Sequence, residues 1–298
     1  MKSFQTVCID IEASPLLGGT LIAITEGLVE FGHISICIFS NSANEIDLKK
    51  VNSILHMALD IEGVVGSSYT FRDEIKVSYG ICVKHIHKNN GRVIDSPARL
   101  VEIATNNQVR EVLKFKPEIY VSAIKKLRVK NNYEYLVLHA NLPKKLQFFS
   151  YRSKKLSMGV EQSWAKAIKK FISSDIMVPI TLIGTDAKYF RKFDLGKIHN
   201  TYFNGLNLSE QLSLVAKSKG FIGMSAGPSV MALFSSTTYY IFKDPRHHRV
   251  QMNRELDQEN GYAFSTATQF YVRQYPSSKI LYESMISIII GGKIWHTL

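Results

Sequence analysis

The sequence is short of cysteine, proline and tryptophan, and it has no long apolar run. Its 298 residues include three Cys, eight Pro and two Trp. Cys8, Cys37 and Cys82 are widely spaced within apolar, strand-like stretches. So sparse and odd a set makes neither a disulfide framework nor a zinc-ligand spacing. All three are expected to be buried thiols, packing as small hydrophobes. No apolar stretch approaches the ~20 residues that a membrane span needs, and the run 285–290 is far too short. The N-terminus, MKSFQTVCIDIE, reaches Asp10 and Glu12 without the apolar core and cleavage site of a signal peptide. A cytoplasmic location is therefore expected. No repeat of 20–50 residues is present, which excludes a solenoid.

What is present is a globular composition, with 45% apolar and 21% charged residues. That combination excludes disorder. The length suits two domains of roughly 150 residues each. Charge is unevenly placed. Residues 1–122 carry 12 Lys+Arg against 14 Asp+Glu, a balance of −2, and the remainder 25 against 11, a balance of +14. A basic second half facing a near-neutral first half points to an anionic ligand or surface. A nucleotide diphosphate, an anionic membrane and nucleic acid are the candidates.

Periodicity gives the organisation. The β-rich run 4–11 reads as a buried strand, 12–19 as a loop with Pro15, Gly18 and Gly19, 20–32 as a helix and 33–40 as a second strand. Strand, glycine loop, helix, strand is a βαβ unit, the building block of a parallel sheet. Further helices are expected at 48–61 and 97–115, and a strand at 75–86. The basic, polar stretch 125–132 has no apolar face and reads as a linker. Beyond it strands are expected at 133–140, 178–184, 201–207, 220–224 and 237–243, with helices at 160–172, 208–219 and 277–289. Ser209 or Asn207 would cap the second of these helices. The expected fold class is α/β with two Rossmann-like domains and an interdomain cleft, residues 1–130 and 131–298, the second ending in a closing C-terminal helix. Ligands of such sheets bind at the carboxyl ends of the strands.

The run NLSEQLSLVAKSKGFIGMSAGPSVMALFSSTTYYIF, residues 207–242, carries a capped helix, a strand and a Gly-Pro turn opening a helix. Ser209, Glu210 and Gln211 open its first helix, and Gly223, Gly227, Pro228 and Ala232 mark the second motif. This order resembles the donor-binding half of GT-B glycosyltransferases, the heptosyltransferase-like and surface-polysaccharide enzymes above all. The opening GGTLIAITEGLVEFGHISICIFS resembles the glycine loop, helix and strand with which many GT-B enzymes begin. The chain has Ser225 where those enzymes usually have an acid and Val230 where they often have His. That leaves the donor sugar and subfamily open.

The resemblance implies sugar transfer from a nucleotide-diphosphate donor to a glycan or lipid-linked acceptor in surface-polysaccharide biosynthesis. It implies no metal and no cofactor beyond the nucleotide sugar itself. At the turn Ser225-Ala226-Gly227-Pro228-Ser229, backbone N–H groups, a helix N-terminus and two hydroxyls would meet a phosphate. Gly184 and Thr185 would lie near the nucleotide, and Asn204 and Leu206 would present backbone atoms to the base. Arg152, in a loop over 148–156 with Lys154 and Lys155, would clamp the pyrophosphate. Gly18 and Gly19 would lie against a donor phosphate or the acceptor. Asp10 or Glu12 would take the acceptor hydroxyl's proton. The basic face would allow peripheral contact with an anionic inner membrane.

Other readings compete. An ATP-grasp ligase would need a glycine-rich lid and closely spaced metal ligands. A nucleotide-sugar epimerase would need several acids and a His in the cleft. A nucleic-acid module would need aromatics interleaved with a basic stripe, and nucleic acid is not an expected partner. A catalytically inactive GT-B relative acting as a partner subunit fits the changes at Ser225 and Val230.

Overall fold

The computed structural model describes residues 5–11, 16–40, 48–74, 84–86, 88–89, 92–93, 112–128, 134–141, 151–193, 198–202, 204–243 and 265–291. The described residues form two all-parallel sheets and one short hairpin. The first sheet holds β1 (Gln5–Asp10), β2 (Ile34–Ser40), β3 (Val64–Phe71) and β4 (Lys84–Ile86), in the order β3-β2-β1-β4. Helices α1 (Leu16–Phe31) and α2 (Leu48–Leu59) make its crossovers. The strands β5 (Lys88–Asn89) and β6 (Arg92–Val93) pair antiparallel, and α3 (Pro117–Leu127) follows.

The second sheet holds β7 (Leu136–His139), β8 (Ile180–Leu182), β9 (His199–Asn200), β10 (Gly220–Met224), β11 (Thr238–Phe242) and β12 (Gln269–Val272). Their order is β12-β11-β10-β7-β8-β9, every pair parallel. The helices are α4 (Tyr151–Ile172), α5 (Leu208–Lys217), α6 (Gly227–Leu233) and α7 (Ser278–Ile290), with a 3-10 helix at Thr185–Lys192.

Strand alternation sorts the second sheet's side chains onto two faces. Val137, Phe221, Tyr239 and Ile241 join one apolar cluster with β1, β2 and helices α1, α2, α3, α5 and α6. Leu136, Leu138, Ile222, Tyr240 and Phe242 join another with α4 and α7 around Trp164. The first cluster is shared by both halves, for α1 packs on α6, and α2 and α3 pack on α5. The layers therefore run from the first sheet through facing helices to the second sheet, and then to α4 and α7. Each fully buried large side chain there contributes roughly 1.5–3 kcal/mol.

Several local expectations are corrected. α1 begins at Leu16, so Gly18 and Gly19 are helical and buried, not part of a loop. α4 begins at Tyr151, so Arg152 sits in a helix's first turn and not in a loop. The expected strand 201–207 is replaced by the two-residue β9 and a turn. There the Asn200 side chain accepts the Tyr202 N–H, and Gly205 takes φ +64. Residues 112–115, the described end of the expected helix 97–115, are not helical, and Phe115 bridges Ile61. Lys125 and Lys126 lie in the last turn of α3 and not in a linker, and the expected boundary at 130 lies outside the described residues. Cys37 is buried and outside any disulfide, whereas Cys8 is disulfide-bonded, contrary to the expectation for it. No helix among the described residues is long and apolar enough to cross a membrane.

Candidate functional site

In the second sheet the chain runs outward from β7 to β9 on one side and from β10 to β12 on the other. β7 and β10 flank the reversal. In the first sheet β1 leads to β2 and β3, with β4 on its other side. Ligands of open parallel sheets bind outside the carboxyl ends of the strands at such reversals, because the diverging crossover helices leave a crevice there. The two reversals are brought together by α1 and α6, each of which begins just past its strand. Leu17, in the first turn of α1, lies against Gly227, where a Cβ would stand 2.7 Å from its Cδ2.

His139 closes β7 with its side chain 6% exposed, its Nε2 3.9 Å from Asp186 Oδ1. Gly184 follows β8 with φ +89, a conformation that favours glycine. A Cβ there would lie 2.8 Å from His139 Nε2 and 2.9 Å from Asp186 Oδ1. Burial lowers the pKa of His139, and the opposing pull of Asp186 and of the Met224 carbonyl does not reverse it. His139 Nδ1 is buried without a hydrogen bond of good geometry.

Past β10, the Ser225 N–H donates to the Phe242 carbonyl at 2.7 Å. Ser225 Oγ accepts from the Tyr271 hydroxyl, also at 2.7 Å. Ser229 Oγ accepts the Ala226 N–H at 3.0 Å and donates to the Ala226 carbonyl at 2.7 Å. The start of α6 is thus capped from within.

No family model matches the sequence, and a search of curated proteins finds no relative. Solved structures do match. A glycosyl transferase of family 9 from Veillonella parvula superposes over 97% of this chain and 98% of its own, with TM-score 0.56 and 6% identity. The E. coli ADP-heptose lps heptosyltransferase II superposes over 97% and 99%, with TM-score 0.53 and 8% identity. The chain has the GT-B glycosyltransferase fold. The likeness spans both halves, so the parallel sheets and their order belong to that fold throughout.

In this GT-B chain the residues expected at a site divide into three groups. Thr185 and Asn204 are exposed, and Gly184, Ser225, Ala226 and Gly227 half-buried, near the strand ends. Other expected contacts are already used within the protein. The Gly184 N–H donates to Gln211, the Leu206 N–H to the Thr201 carbonyl at 3.2 Å, and the Leu206 carbonyl accepts from Gln211. Ser209 is buried and donates to Asp60 Oδ2 at 2.5 Å, while Asn207 is the cap of α5, accepting the Glu210 N–H at 2.9 Å. Asp10 is 6% exposed and ion-paired with Arg72 at 3.2 Å, the Arg72 guanidinium lying over the Phe39 ring. Gly18 and Gly19 are packed inside α1, Gly18 close to Val230 and Gly227. Glu12 and the Arg152 side chain lie outside the described residues.

The sequence reading did not single out Leu17, Gln211 or Tyr271. Tyr271 stands on a strand that was not foreseen. In the sequence Gln211 stands out only as part of a helix opening, and Leu17 only as part of an expected loop. A polar amide in the first turn of a helix beside two glycine turns was the available signal for Gln211.

Proposed function

We propose that this protein is a glycosyltransferase that moves a sugar from a nucleotide-diphosphate donor to a glycan or lipid-linked acceptor in surface-polysaccharide biosynthesis. The observation that carries the reading is the likeness, over 97% of the chain, to a family 9 glycosyl transferase and to an ADP-heptose heptosyltransferase. A fold that matched only one half would support nucleotide binding without an acceptor side.

In this reading the donor lies in a cleft over the carboxyl ends of β7, β8 and β10. The Thr185 and Ser225 hydroxyls meet its diphosphate, and Tyr271, by donating to Ser225 Oγ, leaves the Ser225 proton for an anionic oxygen. The basic second half adds long-range attraction. The acceptor approaches from the first sheet, where a carboxylate at the end of β1, Asp10 or Glu12, takes its hydroxyl proton. The acceptor oxygen forms a bond to the anomeric carbon as the bond to the diphosphate breaks, and the nucleoside diphosphate leaves. The Arg72 guanidinium already occupies an Asp10 carboxylate oxygen, which favours Glu12 for the role. No metal enters this scheme.

Thermal shift with ADP, UDP, GDP and CDP and their sugar conjugates tests the donor site. A ligand that binds only the folded chain at a hundredfold excess over its Kd adds about 2.7 kcal/mol. One base is expected to raise Tm, with the rise reduced in Thr185→Ala and Ser225→Ala. No rise with any nucleotide refutes the reading. A rise without sugar transfer to any glycan or lipid acceptor marks a binding-only relative.

A further inference from the structure

Three consecutive polar residues near the start of α5 reach three different parts of the chain. Ser209 donates to Asp60 in the loop after α2. Glu210 accepts from Ser122 at 2.6 Å and from Lys126 at 2.8 Å, both on α3. Gln211 instead faces the strand ends. Its Oε1 accepts the Gly184 N–H at 2.9 Å, and its Nε2 donates to the Leu206 carbonyl at 3.0 Å.

One side-chain amide thus spans the loop after β8 and the turn before α5. Both segments are held in unusual shapes, with φ +89 at Gly184 and +64 at Gly205. The second is also tied back to β8, since the Leu206 N–H meets the Thr201 carbonyl at 3.2 Å, while the Thr201 N–H and hydroxyl both meet the Leu182 carbonyl at 3.0 Å. Gln211 closes this ring of hydrogen bonds. Only an amide suits the place, because one end must accept while the other donates. A carboxylate keeps the first bond and sets an acceptor against the Leu206 carbonyl. Alanine keeps neither.

We propose that Gln211 is a positioning residue of the donor site: it fixes the Gly184–Thr185 edge against the Asn204–Leu206 edge, between which the nucleotide lies. The inference rests on the glycosyltransferase reading above. Gln211 itself need not touch the nucleotide, because its two polar ends are spent on the protein.

Calorimetric titration of the full chain with ADP, UDP, GDP and CDP, together with the ligand-free Tm, tests it. Ser122→Ala serves as a control, for it removes a different bond to the same helix. The expected result is a Kd about tenfold weaker in Gln211→Ala, an intermediate value in Gln211→Glu, and a lower Tm with unchanged Kd in Ser122→Ala. A Gln211→Ala Kd within about twofold of the unaltered protein overturns the inference. So does equal weakening in Ser122→Ala, which would mean that any loosening of α5 suffices. If the unaltered protein binds no nucleotide, the donor reading itself fails and takes this inference with it.

Discussion

Replacing Gly227 with alanine puts a methyl group into space that Leu17 fills. The new Cβ would stand 2.7 Å from Leu17 Cδ2, 2.9 Å from Cγ and 3.0 Å from Cβ. Rotating the leucine tip relieves only the first of these contacts. The other two require α1 and α6 to move apart. Backbone strain adds nothing, since Gly227 is not among the glycines with positive φ. The cost is therefore overpacking, typically ~1–3 kcal/mol, and Tm should fall by several degrees. Leu17→Ala alone should cost about 1 kcal/mol, because Leu17 is only half-buried. Combining the two removes the Cδ2 and Cγ contacts and leaves only the one to Cβ at 3.0 Å, so the double variant should be at least ~1 kcal/mol more stable than the sum predicts. Urea unfolding of the four proteins, followed by circular dichroism, measures that coupling. Strict additivity would show that the two helices do not meet at this point, and would undo the argument that joins the two strand-end edges.

Three other outcomes follow from buried polar groups. Burial pushes the Glu210 pKa up, but hydrogen bonds from Lys126, Ser122 and Asn207 outweigh it and hold the carboxyl below its ordinary 4.5. The stability Glu210 supplies is thus present above pH 4.5 and lost as pH falls through its lowered value; the Tm gap between the unaltered protein and Glu210→Gln should narrow below pH 4.5, and a constant gap would refute this. His139 has a linkage of the same sign at higher pH, because burial keeps it neutral after the unfolded chain has begun to take a proton near 6.5. Between pH 8 and 5 the unaltered protein's Tm should fall more steeply below about 6.5 than that of His139→Phe; parallel curves would contradict the assignment. Gln269 is 1% exposed, donates to the Ser235 and Thr237 carbonyls and accepts the Thr266 N–H. Gln269→Leu strands all three, so chemical denaturation should show a loss of at least ~2 kcal/mol, and a loss under ~0.5 kcal/mol would mean that water replaces the amide.

The central strands were legible because burial on both faces writes an apolar run. The stretch 220–224 was read as a strand with the bounds it has, and 34–40 and 238–242 nearly so. The edge strands β3 and β12 were not foreseen. An edge strand pairs on one side and is only partly covered, and VVGSSYTF spends half its length on Gly, Ser and Thr. The start of α1 was misplaced because two adjacent glycines read as a loop, although Pro15 beforehand is a helix-start signal. In the site, the turn after β10 was found from its small residues. What could not be read was how much of its hydrogen bonding is internal, since the partners Phe242 and Tyr271 lie 17 and 46 residues further along the chain.

The cluster shared between the sheets also has a meaning in time. α1 and α2 are complete once residue 59 has been made, but the helices α5 and α6 that cover them end only at residue 233. At cellular elongation rates that interval is on the order of ten seconds or more. Throughout it, a nascent first half carries an apolar helical face with no partner. A ribosome-bound chain stopped near residue 200 should therefore be cut readily by protease or held by a chaperone, whereas the released full chain closes over that face.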